Sequence, residues 1–166
     1  MGAKAATRRS TETVAGLLDR LGVPAARVRL DPPPGRATEQ DWNAHHADTD
    51  VPCELVHGTL VDVAVSWWAG YLGTQLGVAL LRFVQARNAG VVVGAGGPYR
   101  LGPGLIRYPD VSFVSWDGIP DPSVLDAPRP YYFDGPPDLA VEVLNESNTM
   151  IEMANKLDEY FKAGVR

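Results

Sequence analysis

The chain has 166 residues, 45% of them hydrophobic, and a formal net charge of −5; this suits one domain with a buried core and argues against a general nucleic-acid coat protein. No apolar run approaches the roughly 20 residues of a membrane span, and the basic start "MGAKAATRRSTETVAG" lacks an apolar signal core, so a non-exported, cytoplasmic protein without membrane contact is expected. Cys53 is the single cysteine, which excludes an internal disulfide and a thiolate-rich zinc site.

Charge is uneven along the chain. Residues 1–36 carry seven basic and three acidic groups, and the remainder carries eight basic and seventeen acidic. In chain order, "STETVAGLLDRLG" predicts a short helix with Ser10 as its cap, Leu17, Leu18 and Leu21 as its stripe, and Gly22 as its stop. "LDPPPGRAT" is a rigid connector, since three prolines exclude helix and central strand. "TEQDWNAHH" predicts a helix capped by Thr38. "PCELVHGTLVDVAV" predicts strand–turn–strand about His57-Gly58.

A long helix is expected over 67–88, with Leu72, Leu76, Leu80 and Phe83 at helical spacing. Gly70, Gly73 and Gly77 either permit close packing or mark a late start. Short strands follow near 91–94, 98–101 and 110–115, then a long proline- and aspartate-rich loop, 116–137. A strand over 138–144 precedes a final helix over 150–163. That helix has Thr149-x-x-Glu152 as a capping box and Leu157 and Phe161 continuing an apolar face. Helices before and after a run of strands imply an α/β or α+β fold, a mixed sheet covered by helices.

The strand "LAVEVLN" contains Glu142. Its alternation leaves apolar residues on both sides, which predicts a central strand. A carboxylate there is expensive to desolvate, so it either pairs with an arginine at a sheet margin or serves as a metal ligand or catalytic acid. Asp110, after Pro109 in "IRYPDVSFVS", heads another strand. If the two strands are neighbours, the carboxylates converge, and a cation between them relieves their repulsion. Magnesium suits such a site because it favours oxygen ligands and needs few carboxylates. Lys156, with Tyr160 one turn further on, lies on the following helix and either reaches back to the carboxylates or is simply solvated.

Asp110, then Glu142, then a nearby lysine resembles the PD-(D/E)XK nuclease superfamily, the restriction-endonuclease-like fold. More narrowly, "RLDPPPGRATEQD", "CELVHGTLVD", "RYPDVSFVSWDGIP", "PPDLAVEVLNESNT" and "EMANKLDEYFKAGVR" resemble the Uma-type restriction-endonuclease family. The resemblance implies magnesium, replaceable by manganese, on Asp110 and Glu142, with Glu54 as an auxiliary ligand and Lys156 completing the catalytic set. The superfamily's usual lysine position, two residues after the glutamate, is Leu144 here.

The resemblance also implies DNA as partner; Arg100, Arg107 and the basic N-terminal segment are candidate phosphate contacts, and a homodimer is expected. It divides the chain into an N-terminal helical and proline-rich extension, 1–36, and a nuclease-like domain, 37–166. Two features depart from the family: the chain stops at Arg166, where a further strand is usual, and "VSWWAGYLG" replaces a segment that often carries polar residues. The alternative functional reading is an inactive nuclease-fold module that binds DNA or protein.

Other signals carry less. "GAGGPY" lacks a full dinucleotide fingerprint. His45-His46 are expected as solvated helix-end residues and His57 as a turn residue. Tyr131, Tyr132 and Phe133 either stack on bases or form a flap packed on the core.

Overall fold

The computed structural model describes residues 13–121, 125 and 131–166. Helix α1 (Val14–Leu21) is capped by Thr13, whose Oγ1 accepts the Gly16 N–H at 3.1 Å; Ser10 lies outside the described residues. Helix α2 (Glu39–Asp48) carries a complete capping box between Thr38 and Asp41. A hairpin of β1 (Cys53–Val56) and β2 (Thr59–Asp62) turns at His57-Gly58, where both residues adopt positive φ.

Helix α3 (Trp67–Arg87) starts at the Ser66 cap and ends at left-handed Asn88. There is no late start; Gly73 and Gly77 serve packing, whereas Gly70 faces open space. A Cβ on Gly73 would already touch Asp110 and Val111, and one on Gly77 would touch Val111. The stripe therefore seats α3 on the strand that follows Asp110.

The remaining strands are β3 (Gly90–Gly94), β4 (Tyr99–Gly102), β5 (Leu105–Arg107), β6 (Val111–Ser115), β7 (Phe133–Asp134) and β8 (Leu139–Val141), followed by helix α4 (Met150–Ala163). They form two sheets. One has the order β2-β1-β5-β4-β7, antiparallel except for the parallel β4–β7 pair; the other is antiparallel β3-β6-β8. Trp42, Leu55, Leu60, Ile106 and Tyr108 fill the core between α2 and the larger sheet. Leu17, Leu21 and Val23 pack on Val56 and Val61. The architecture is mixed α+β with helices flanking the sheets.

Four expectations need correction. The strand over 138–144 is shorter, and β8 is an edge strand among the described residues, with Glu142 just past its end. Strands β5 and β7 were not foreseen: "LIR" is only three residues after a Pro-Gly turn, and β7 is two residues inside the expected long loop. At α4 only half of the capping box forms. Thr149 Oγ1 accepts the Glu152 N–H, but the Glu152 carboxylate turns to Arg27.

The fourth correction is the buried face of α4. Leu157 and Phe161 are exposed, whereas Glu152, Lys156, Glu159 and Tyr160 are buried. The polar stripe, at spacing i, i+4, i+7 and i+8, faces inward.

Candidate active site

Antiparallel pairing of β6 and β8 is what brings Asp110 and Glu142 together. The last registered pair is Val111↔Val141, so the two acids are the next residues outward on neighbouring strands. Beyond that pair the ladder becomes irregular. The Asp110 N–H donates to the Val141 carbonyl at 2.9 Å, and the Val143 N–H donates to Asp110 Oδ2 at 2.6 Å. Asp110 thereby fixes the backbone on both sides of Glu142.

Lys156 reaches this point from α4. Its Nζ lies 3.1 Å from Glu142 Oε2 and 3.1 Å from Glu54 Oε1. The Tyr160 hydroxyl, one turn along, donates to Glu142 Oε1 at 2.7 Å. Glu54, on β1, is fully buried. Its Oε1 also accepts the Tyr108 N–H at 3.2 Å, and its Oε2 accepts from Arg107 at 2.6 Å. Arg107 in turn binds Glu159 at 2.6–2.7 Å, and Glu159 lies 3.3 Å from the exposed His57.

The electrostatics follow from burial set against pairing. Burial raises the Asp110 and Glu142 carboxyls above their ordinary values, and Lys156 only partly offsets it. Burial also acts against ionised Glu54, but Lys156 and Arg107 outweigh it and bring the group down to about 2. For Lys156, burial opposes the charge, yet Glu54 and Glu142 prevail and raise it. Lys156 is therefore an ammonium at neutral pH. Burial, with Glu142 beside it, raises Tyr160 well above the ordinary phenol, so it stays a donor.

Four carboxylates, Asp110, Glu54, Glu142 and Glu159, thus meet two cations, Lys156 and Arg107. Counted as fully ionised, the four acids exceed the two cations by two charges, which is the charge of one divalent ion. Asp110 and Glu142 offer the hard oxygen donors such an ion takes. Glu54 is less suited to that role because its two oxygens already accept from three donors.

The other expected contacts fall elsewhere. Arg107 is 3% exposed and held between two carboxylates, so it presents no surface to a phosphate in this conformation. Arg100 pairs with Glu39 and Asp134 at 2.9 Å each. Residues 1–12 of the basic segment lie outside the described residues.

Tyr132 and Phe133 pack on Trp42 and Tyr99, and Tyr131 meets His46 edge-on, as the flap alternative describes. His46 is not merely solvated. It stacks on Trp42 at 5.1 Å and lies 3.2 Å from the Tyr108 hydroxyl.

A separate cluster joins His45, Cys53 and Asp62, whose ligand atoms lie within 4.8 Å of one another. Arg29 already engages Asp62 at 2.6 Å. Burial pushes the Cys53 thiol up to about 12, so it holds its proton at neutral pH.

The roles of Arg107 and Glu159 were not seen from sequence. Glu159 lies three residues after Lys156 on the same helical face, which is the signal that could have found it.

The fold is a mixed α+β architecture, and the comparisons place it among nuclease-like proteins. Residues 39–166 match the Uma2 family, described as "Putative restriction endonuclease"; the chain belongs to that family. The fold is similar to the crystal structure of a putative nuclease belonging to DUF820 from Anabaena variabilis ATCC 29413. That likeness has a TM-score of 0.65 and 15% sequence identity, over 77% of this chain and 69% of that one. No curated protein matches. No helix among the described residues is long and apolar enough to cross a membrane.

Proposed function

We propose that the chain is a magnesium-dependent endonuclease that hydrolyses DNA phosphodiester bonds, with Asp110 and Glu142 as metal ligands and Lys156 as the catalytic cation. The observation that carries this reading is the double negative surplus around a buried lysine, on two carboxylates whose ionisation burial opposes. Manganese fits the same oxygen donors.

A bound divalent ion supplies Lewis-acid polarisation of the phosphate and activation of water. Lys156, held protonated, neutralises charge that grows on the phosphate; as an ammonium it is no proton acceptor. Glu54 positions Lys156 and is assigned no ligand role. Tyr160 orients Glu142 through its hydroxyl. Asp110 uses Oδ2 to hold the Val143 N–H, which leaves Oδ1 outside that bond.

The test is Glu142→Gln against wild type on supercoiled plasmid with Mg2+. The variant keeps the shape of the side chain and one acceptor oxygen, but removes its charge. Cleavage is expected to fall at least ~100-fold, the scale of losing one preorganised electrostatic group, with an unchanged far-UV circular dichroism spectrum. Cleavage at the wild-type rate in Glu142→Gln rejects the assignment.

One observation favours the alternative, an inactive module that binds DNA or protein: Lys156 and Tyr160 already engage both oxygens of Glu142, as a purely structural network would. A calorimetric Mn2+ titration separates the two, since the module needs no metal. Homodimerisation belongs to this proposal as well and is read from light scattering.

A further inference from the structure

Helix α3 is apolar on nearly every side. Among its 21 residues only Arg82 and Arg87 are charged. A helix of that composition is normally covered all round. Yet α3 is buried only along Ala69, Gly73 and Val84, the side turned to β3 and β6.

A second stripe lies open. Trp67, Tyr71, Thr74, Val78, Leu81 and Gln85 are all exposed, and they follow one another at spacings of 4, 3, 4, 3 and 4. That alternation is the repeat of about 3.5 residues by which two helices pair lengthwise. The Trp67 and Tyr71 rings lie parallel, 5.6 Å apart, so the aromatic end of the stripe is already set in shape. Gly70 leaves open space beside it, where a Cβ would touch nothing. With Thr74, Val78 and Leu81 it lines a cleft whose other wall is Val92 and Ala95. These small residues give a partner's side chains room to enter.

The size of the face suits a folded partner. Trp67 is 79% exposed, Trp68 55%, Tyr71 45%, Val78 43% and Leu81 39%. At about 150–250 Å2 for a whole aromatic side chain, this is apolar area on the order of 600 Å2. The largest patch on a typical monomer is ~300–600 Å2. With Thr74, Gln75, Arg82 and Gln85 interspersed, the face approaches the roughly 800 Å2 that each partner gives to a stable interface.

Charge makes the face complementary to itself. Arg82 stands toward the carboxyl end of α3. At the amino end, Glu146 of the β8–α4 loop shares a cleft with Trp68. Antiparallel pairing about a two-fold axis sets Arg82 of each copy toward Glu146 and Trp68 of the other, a carboxylate and a ring face that both suit a guanidinium. Parallel pairing would set Arg82 against Arg82.

We propose that α3 is the self-association surface of this protein: two copies pair antiparallel along Trp67, Tyr71, Thr74, Val78 and Leu81. This rests on the homodimer included in the reading above and gives it a surface; it does not require cleavage. Gly73, on another side of the same helix, packs on Asp110, so the pairing braces the helix behind the candidate site.

The test is light scattering of the full chain at up to about 100 μM, beyond the micromolar end of affinities for interfaces of this size. Wild type is expected at twice the chain mass. Val78→Asp/Leu81→Asp, at two exposed positions, is expected to weaken the dimer at least ~100-fold, because it sets like charges into the seam from both copies. Its far-UV circular dichroism spectrum stays that of wild type. Arg82→Glu alone is expected to weaken the dimer about fivefold, and Arg82→Glu with Glu146→Arg to restore it.

A wild type that stays monomeric overturns the proposal and leaves the face to lipid or to another protein. A dimer that survives Val78→Asp/Leu81→Asp overturns it as well, since the copies then meet elsewhere. So does a charge exchange that restores nothing. Plasmid cleavage in Mg2+ on the same preparations keeps the two readings apart. A monomer that cleaves DNA loses this surface and keeps the nuclease; a dimer broken as expected, in a chain that never cleaves, does the reverse.

Discussion

At the scale of single residues, two glutamates around one buried lysine have opposite thermodynamic characters. Glu54 is better placed ionised in the fold than in the open chain, because Lys156 and Arg107 outweigh its burial. Its folded value is depressed, so its contribution is present above the ordinary carboxylate range near 4.5 and is lost as pH falls toward about 2. Glu142 is the reverse. Its value is raised, so any stability it lends exists at low pH and disappears as pH rises through the raised value. Glu54→Gln is therefore expected to cost about 3–5 kcal/mol at neutral pH, the scale of breaking a buried ion pair from one side. In urea denaturation the gap to wild type should narrow as pH is lowered from 6 to 3. Glu142→Gln should cost little at neutral pH although it removes cleavage. A gap for Glu54→Gln that stays constant with pH would reject the ionised, doubly paired Glu54.

At the scale of elements, residue patterns located most of the helices and strands, and the reasons for the failures are physical. Helices α2 and α3 were legible because caps and stops are local: Thr38, Ser66 and Asn88 each act within a turn. Strands β5 and β7 were not, since two or three residues carry no periodicity and their pairing with β1 and β4 is a long-range event. The face of α4 was misread for a different reason. Amphipathicity assumes that apolar residues turn inward, but here the ion network claims the buried side. The three residues proposed for the site, Asp110, Glu142 and Lys156, were readable through family resemblance, and the fold brings them together. Their support by Arg107 and Glu159 was hidden because a buried arginine and a solvated one look alike in sequence. The orientation of α4 is tested by two neighbours. Phe161→Ser, on the exposed side, should change stability by no more than about 0.5 kcal/mol. Tyr160→Phe removes a hydrogen bond to a charged group and should cost about 1.5–3 kcal/mol. Denaturant midpoints that reverse this order would mean the opposite face is buried.

At the scale of the whole molecule, the site lies where two sheets are joined by one helix. Glu54 comes from the larger sheet, Asp110 and Glu142 from the smaller, and Lys156 from α4, which bridges them. What holds α4 in place therefore bears on the proposed chemistry, and much of it comes from residues 14–28. The Arg27 guanidinium grips both oxygens of Glu152 at 2.8–3.0 Å, while its Nε–H donates to the Asp62 carbonyl at 2.7 Å. Thr149, at the head of α4, bonds the Gly22 carbonyl, and Asn155 donates to that of Arg20. Gly22 approaches α4 so closely that a Cβ would lie 2.6 Å from the Glu152 nitrogen. Because Glu152 is 1% exposed, Arg27→Ala leaves a buried carboxylate with Asn148 as its remaining side-chain partner among the described residues, and should cost about 3–5 kcal/mol. Replacing both partners by apolar residues, as in Arg27→Met with Glu152→Met, should restore most of that loss, since no charge is then left unpaired. Arg27→Ala should also slow cleavage by shifting Lys156, and the double variant should recover it in step with stability. Urea midpoints and plasmid cleavage measured on the same preparations check both. If Arg27→Ala costs under about 1 kcal/mol, or cleavage stays low when stability returns, the arginine does not govern where α4 sits.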